Sequence, residues 1–259
     1  MLTLPSGVLY RECTGAAMAV QPTGLPLRPP RPIVACVDAA LSLAAAIAGA
    51  AVGAVVPLYQ HRLYRAPEHR SHPASGLKLR VLQAFCLLGT GAAWGLAFRP
   101  GHYDAFPAAL TAAFALVLVV LSSTDFDRRI IPNRLSYPAI VAAAALCWAW
   151  PDRDAGDIAV GAAVAAGVAA SMVALGVVVG ALLGVKDIAF GMGDAKLIVL
   201  IGLLTGWPGV MTALFYGVLL AGGAAFVFLF RRGWRTVFSY GPYLAAGGII
   251  VMLWTGELT

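Results

Sequence analysis

The sequence predicts an all-α, polytopic membrane protein: a helix bundle of about eight transmembrane helices with both termini outside the cytoplasm. Three observations carry this expectation. Of 259 residues, 60% belong to the hydrophobic set and 12% are charged, against about 25% charged in an ordinary soluble domain. The apolar residues lie in long blocks, several close to the roughly 20 residues that cross a bilayer. The Lys and Arg residues fall unequally on alternate connections between those blocks, the pattern that orients a chain in a membrane.

Residues 1–32 read as a Pro-rich, irregular N-terminal tail. They lack the basic start, apolar stretch and small-residue cleavage site of a signal peptide, and Met18 is an alternative start. The first span is expected over 33–58. It leads into a short basic connection, which closes a segment running 33–78. A third segment, 79–256, holds the remaining spans at 79–98, 105–124, 135–151, 157–183, 189–207, 210–230 and 239–256. Spans 1 and 5 are rich in Gly and Ala, as in the run from Gly156 to Ala170. Small residues let helix backbones approach closely in lipid, so these glycines read as packing positions. They follow no strand, which argues against a nucleotide-binding loop.

The sixth span is the most informative. Leu197 to Gly206 supplies only ten apolar residues, too few to cross a bilayer. The span must therefore recruit residues from about Ala189 onward, which draws Asp194 into the membrane edge. Trp207-Pro208-Gly209 then reads as a tight turn.

Thirteen of the eighteen Lys and Arg residues sit on the connections after spans 1, 3, 5 and 7, including Arg62, Lys78, Arg128, Arg129, Lys196 and Arg231. The connections after spans 2, 4 and 6 hold only Arg99 and Arg153. This places the odd connections in the cytoplasm. Asp125, closing span 3, and Asp194, opening span 6, then lie level at the cytoplasmic boundary. The formal charge of +6 is what this topology leaves. With no basic stripe interleaved with aromatics, nucleic acid is not an expected partner.

Cys13, Cys36, Cys86 and Cys147 are widely separated and form no CxxC, so neither a disulfide framework nor a zinc site is expected. His61, His69 and His72 share the first connection. Without Cys or clustered carboxylates they are a weak metal signal, and no metal is expected.

Carboxylates at membrane depth are costly and usually face the bundle interior or a water-filled cavity. Asp125 and Asp194 are 69 residues apart in sequence but level in depth, so they could face each other. Two carboxyl groups sharing a site tend to hold one proton between them. The ionised member can take a proton from water while the other protonates a scissile carbonyl, which is general acid–base hydrolysis without a covalent intermediate. Pro132 would end regular structure after Asp125. Asp127 reads as an interfacial charge. Solvated charges at helix ends, or a transporter using Asp194 for proton coupling, would produce a similar pattern.

The motifs discriminate further. Asp125 is followed by Ile131-Pro132-Asn133, Asp194 lies within Gly191-Met192-Gly193-Asp194-Ala195-Lys196, and Tyr240-Gly241-Pro242-Tyr243-Leu244 enters the last span. In this order they resemble the two aspartate motifs, the second being GxGDxK, and the carboxyl-terminal FGP-type motif of the type IV prepilin leader peptidases, a family of GxGD intramembrane aspartyl peptidases. The resemblance covers about residues 80–256. It implies a bacterial inner-membrane, multi-pass peptidase that removes the leader of type IV prepilins and type II secretion pseudopilins at the cytoplasmic face. It implies Asp125 and Asp194 as the catalytic pair, with Gly191, Gly193, Lys196, Pro132, Gly241 and Pro242 as motif support. Prepilin or pseudopilin substrates, the lipid bilayer and the pilus or secretion assembly machinery are the implied partners. The peptidase step needs no cofactor. S-adenosylmethionine enters only if methylation of the new amino terminus is retained, and here the first connection lacks the larger Cys-bearing domain of bifunctional members. The alternatives are a preflagellin- or presenilin-like GxGD protease and a proton-coupled transporter. A Pro-Ala-Leu motif, expected of a presenilin-like chain near its last spans, is absent there.

Overall fold

In the computed structural model, residues 32–64, 74–183, 192–232 and 239–254 are described. The expected irregular tail and Gly191 lie outside them. The chain divides into a leading unit, Met1–Val37, and a main unit, Asp38–Thr259. The leading unit contributes to the description only the first residues of α1.

Among the described residues the secondary structure is helical, with no strand. The α-helices are α1 (Pro32–Tyr59), α2 (Gly76–Ala97), α3 (Ala105–Arg128), α4 (Asn133–Ala145), α5 (Ala155–Leu183), α6 (Met192–Thr205), α7 (Gly209–Arg232) and α8 (Gly241–Trp254). Short 3-10 turns follow α1, at Gln60–Leu63, and α4, at Cys147–Ala149. Five helices (α1, α2, α3, α5 and α7) are long and apolar enough to cross a membrane. The shorter α4, α6 and α8 follow the remaining expected blocks, and α6 and α8 hold 14 residues each.

Helix α3 lies at the centre. It packs against α2, α4 and α8, while α6 packs against α4, α5, α7 and α8. Leu118 and Leu121 of α3, Leu197, Leu200 and Ile201 of α6, and Leu244 and Met252 of α8 form the buried core. The hydroxyls buried in α3 are satisfied, as groups in an apolar interior must be. Ser122 and Thr124 donate to carbonyls of their own helix at 2.7 and 2.9 Å. Thr111 accepts a bond from Trp150 Nε1 at 2.9 Å.

The small residues of α5 do what the sequence suggests. A methyl group placed on Gly161 would lie 2.6 Å from the backbone of Gly206, and one on Gly202 would lie 2.7 Å from the Gly161 carbonyl. Only hydrogen at both positions lets α5 and α6 touch backbone to backbone. Helix α6 stops at Gly206, whose φ of +63° suits a left-handed helix end that glycine adopts without strain. The Trp207 amide then donates to the Asp157 carbonyl at 2.9 Å, tying the turn to the start of α5.

One expectation needs adjustment. Pro132 does not end α3. The helix ends at Arg128, and Arg129 takes the left-handed conformation, with φ +56° and its amide bonded to the Asp125 carbonyl at 2.7 Å. Pro132 instead precedes α4, and its carbonyl accepts the amides of Leu135 and Ser136 at 3.1 Å each. A residue without an amide hydrogen suits a helix start better than a helix end.

Candidate active site

Asp125 is in the last turn of α3, and Asp194 is in the first turn of α6. Asp125 is buried, with 7% of its surface exposed, and Asp194 is half-buried. The two carboxylates lie within each other's electrostatic field, and Asp194 also acts on Tyr240.

The start of α8 meets Asp125. The Gly241 amide donates to Asp125 Oδ2 at 3.0 Å, and the Ser239 hydroxyl donates to the same oxygen. A methyl group on Gly241 would sit 2.5 Å from Asp125 Oδ2 and 3.0 Å from Cγ. Gly241 is therefore a position where a side chain would occupy the carboxylate's own space. Pro242 is the second residue of α8, where a missing amide hydrogen costs nothing. Asp125 itself lies at the negative end of α3, and the positive end of α8 offsets this.

The two aspartate motifs lock together behind the carboxylates. Ile131 is buried, and its Cβ lies 3.1 Å from where a methyl on Gly193 would stand. The Lys196 ammonium donates to Asn133 Oδ1 at 2.5 Å and sits 4.8 Å from the centroid of the Tyr137 ring. Asn133, Gly193 and Lys196 thus join the start of α4 to the first turn of α6, which carries Asp194. Gly191 lies outside the described residues.

Two features were not read from the sequence. Ser239 carries no pattern of its own; it differs from any serine near a span end only in where α8 delivers it. Asp127 is not simply an interfacial charge, since its side chain is only 3% exposed. It pairs with Lys78 at 2.6 Å, accepts from the Tyr64 hydroxyl at 3.1 Å and from Gln60 Nε2 at 3.5 Å. Gln60 in turn accepts a bond from Ser123 Oγ at 2.6 Å. Burial first, and then the Asp127 charge, push the Tyr64 phenol above its ordinary value, so it remains a donor. This network ties the turn after α1 and the start of α2 to the last turn of α3. A closer look at the charge pattern, with Lys78 the one cation at the opening of span 2 besides Arg80, could have suggested the pairing.

Among the described residues, no group of three or more His, Cys, Asp or Glu is placed to hold a metal ion.

The fold and site together define a helical membrane protein with two aspartates of different helices near each other, one of them held by the start of a third. Comparison with known proteins gives a family likeness over part of the chain. The model of the type IV leader peptidase family matches residues 112–227. The segment contains both aspartates and both of their motifs but ends before α8. The chain is also 25% identical over 145 residues to the prepilin leader peptidase/N-methyltransferase of Aeromonas hydrophila, covering 55% of this chain and 48% of that protein. It is 26% identical over 145 residues to the protein of the same name from Aeromonas salmonicida strain A449, with the same coverage. The chain thus matches about half the length of these curated relatives. No solved structure matches.

Proposed function

We propose that this chain is a membrane aspartyl endopeptidase that removes the leader peptide from type IV prepilins or type II secretion pseudopilins at the cytoplasmic face of the bacterial inner membrane. The observation that carries this reading is the pairing of Asp125, held by the start of α8, with Asp194, which lies close enough to feel its charge, within motifs that resemble those of the family. The match of residues 112–227 to the family model and the name of the Aeromonas relatives support the substrate class.

The chemistry follows from the pair. One carboxylate takes a proton from a water molecule as the water oxygen bonds to the scissile carbonyl carbon. The other, protonated, gives its proton to the carbonyl oxygen, producing a neutral gem-diol. When the carbon–nitrogen bond breaks, the first carboxyl returns its proton to the leaving amine, and a gem-diol hydroxyl reprotonates the second. Gly241 keeps a side chain out of the space of the Asp125 carboxylate, and Gly193 makes room for Ile131 beside the first turn of α6. A prepilin fits this position because its apolar stem lies in the bilayer and its basic leader in the cytoplasm.

The test is co-expression with a panel of prepilins and pseudopilins. Wild type shortens at least one precursor on a gel. Asp125→Ala and Asp194→Ala reach the membrane in normal amount and leave the same precursor uncut. Variants that cleave as wild type does would overturn the two-aspartate mechanism. The relatives' name couples cleavage with N-methylation, so mass spectrometry of the new amino terminus reads both activities at once.

A further inference from the structure

Two donors, one oxygen and two different carboxylates raise the question of which aspartate does what. Ser239 Oγ and the Gly241 amide both donate to Oδ2 of Asp125, the latter at 3.0 Å. Among the described residues, Asp194 receives no comparable pair of bonds. Helix dipoles weigh towards Asp194, which lies in the first turn of α6, whereas Asp125 closes α3 and has the start of α8 against it. The direct hydrogen bonds weigh towards Asp125. An N–H or O–H donated to a carboxylate favours its ionised form, and a bond to a charged group is stronger than one between neutral groups.

We propose that Ser239 is a positioning residue that, together with the Gly241 amide, makes Asp125 the ionised member of the pair. Asp125 is then the base that takes the proton from water, and Asp194 the acid that protonates the carbonyl oxygen. Both donors point at Oδ2, so Oδ1 is the oxygen to which neither is directed, and it is the one that takes the proton. This assignment rests on the peptidase reading for its chemical consequence, but not for the hydrogen bonds themselves.

Most of the other charged groups near Asp125 are engaged elsewhere. Asp127, on the same helix, is engaged by Lys78 of α2, Tyr64 and Gln60. Arg129 also favours the ionised form of Asp125 through its charge, but it is exposed to solvent, which screens it. Arg128, also on α3, lies against Asp127 and over the Tyr64 ring. On α4, Arg134 reaches the Arg62 carbonyl. Tyr64 feels the Asp125 charge but directs its hydroxyl to Asp127. Asp194 on α6 and Tyr240 ahead of α8 are the further titratable groups at this end among the described residues that act on one another.

Two readouts on the full-length protein test the assignment. The first needs no substrate. In infrared titrations of the detergent-solubilised protein, carboxyl bands are assigned by their loss in Asp125→Asn and Asp194→Asn. Ser239→Ala moves the band belonging to Asp125 to higher pH by about one to two units, and Ser239→Thr leaves it in place. The second uses a precursor that wild type cleaves. Ser239→Ala moves the acid limb of kcat/KM to higher pH by a similar amount with KM unchanged, and Ser239→Thr restores it. An unmoved Asp125 band, or movement of the Asp194 band in its place, would overturn the proposal. If the Asp125 band moves but wild type cleaves no precursor, the peptidase reading fails while the hydrogen-bond assignment stands. If the band moves and cleavage occurs with an unshifted acid limb, Asp125 is not the base.

Discussion

Gly241 tolerates no side chain, because the space a methyl group would take is already filled by Asp125. In Gly241→Ala that methyl would lie 2.5 Å from Oδ2, so either the carboxylate or the start of α8 must move. A displacement of about 1 Å at reacting groups can cost about 10²-fold in rate. Gly241→Ala is therefore expected to lower cleavage by about that factor, with normal amounts of protein in the membrane as the control. Cleavage at the wild-type rate would mean that Asp125 need not hold its position. The motif marked Gly241 and Pro242 in the sequence, but the reason for the glycine was invisible there. It depends on a contact between residues 116 positions apart. Ser239 was not marked at all, since a hydroxyl two residues before a helix has no signature until the helix is docked.

At the scale of elements, the last turn of α3 is held from behind by the turn after α1. Tyr64 is fully buried and bonded to Asp127, whereas Lys78, on the other side of the same carboxylate, is half exposed. Solvent and side-chain entropy reduce an exposed ion pair to about 0–1 kcal/mol. A buried hydrogen bond to a charged group contributes about 1.5–3 kcal/mol. Tyr64→Phe is therefore expected to destabilise the protein by about 2 kcal/mol and Lys78→Met by less than about 1 kcal/mol, both measured by unfolding in mixed micelles. The reverse order would show that the ion pair, not the phenol, anchors α3. The contact between α5 and α6 makes a separate prediction. Gly202→Val adds atoms where the Gly161 carbonyl and the Ala165 methyl already stand, and overpacking of this kind costs about 1–3 kcal/mol. The Gly- and Ala-rich character of span 5 was legible because close packing in lipid selects small residues locally. The partner was not legible, because many pairs of spans could have used such a face.

For the whole molecule, the described ends of the bundle sort as the charge pattern implies. One end gathers Lys78, Asp127, Asn133, Lys196 and both site aspartates. The other holds Arg153 with Asp152 and Tyr103, and Arg99 over the Trp254 ring. Orientation in the bilayer is then a matter of which end carries more cations. With the native cysteines replaced, a cysteine in place of Arg134 is expected to react with a membrane-impermeant thiol reagent only in inside-out vesicles. One in place of Asp154 is expected to react from the outside of intact cells stripped of their outer membrane. Labelling with the sides exchanged would invert the proposed topology and leave the site facing away from a cytoplasmic leader.

The sequence by itself determined the helical membrane class, the apolar blocks, the two aspartates at helix ends and the family motifs around them. Each is a local property: burying a charge in hydrocarbon is expensive wherever it occurs, so Asp125 and Asp194 stand out against their neighbours without any knowledge of the fold. Tertiary structure alone decided which groups meet those carboxylates. Ser239 and Gly241 reach Asp125 across more than a hundred residues, and Asp127 is buried by Tyr64 and Gln60 from the turn after α1 and by Lys78 from the start of α2. The difference is physical. The cost of placing a residue in a membrane depends on that residue and its depth, whereas a hydrogen bond depends on two groups arriving within about 3 Å, and only the packing of α3, α6 and α8 brings them there.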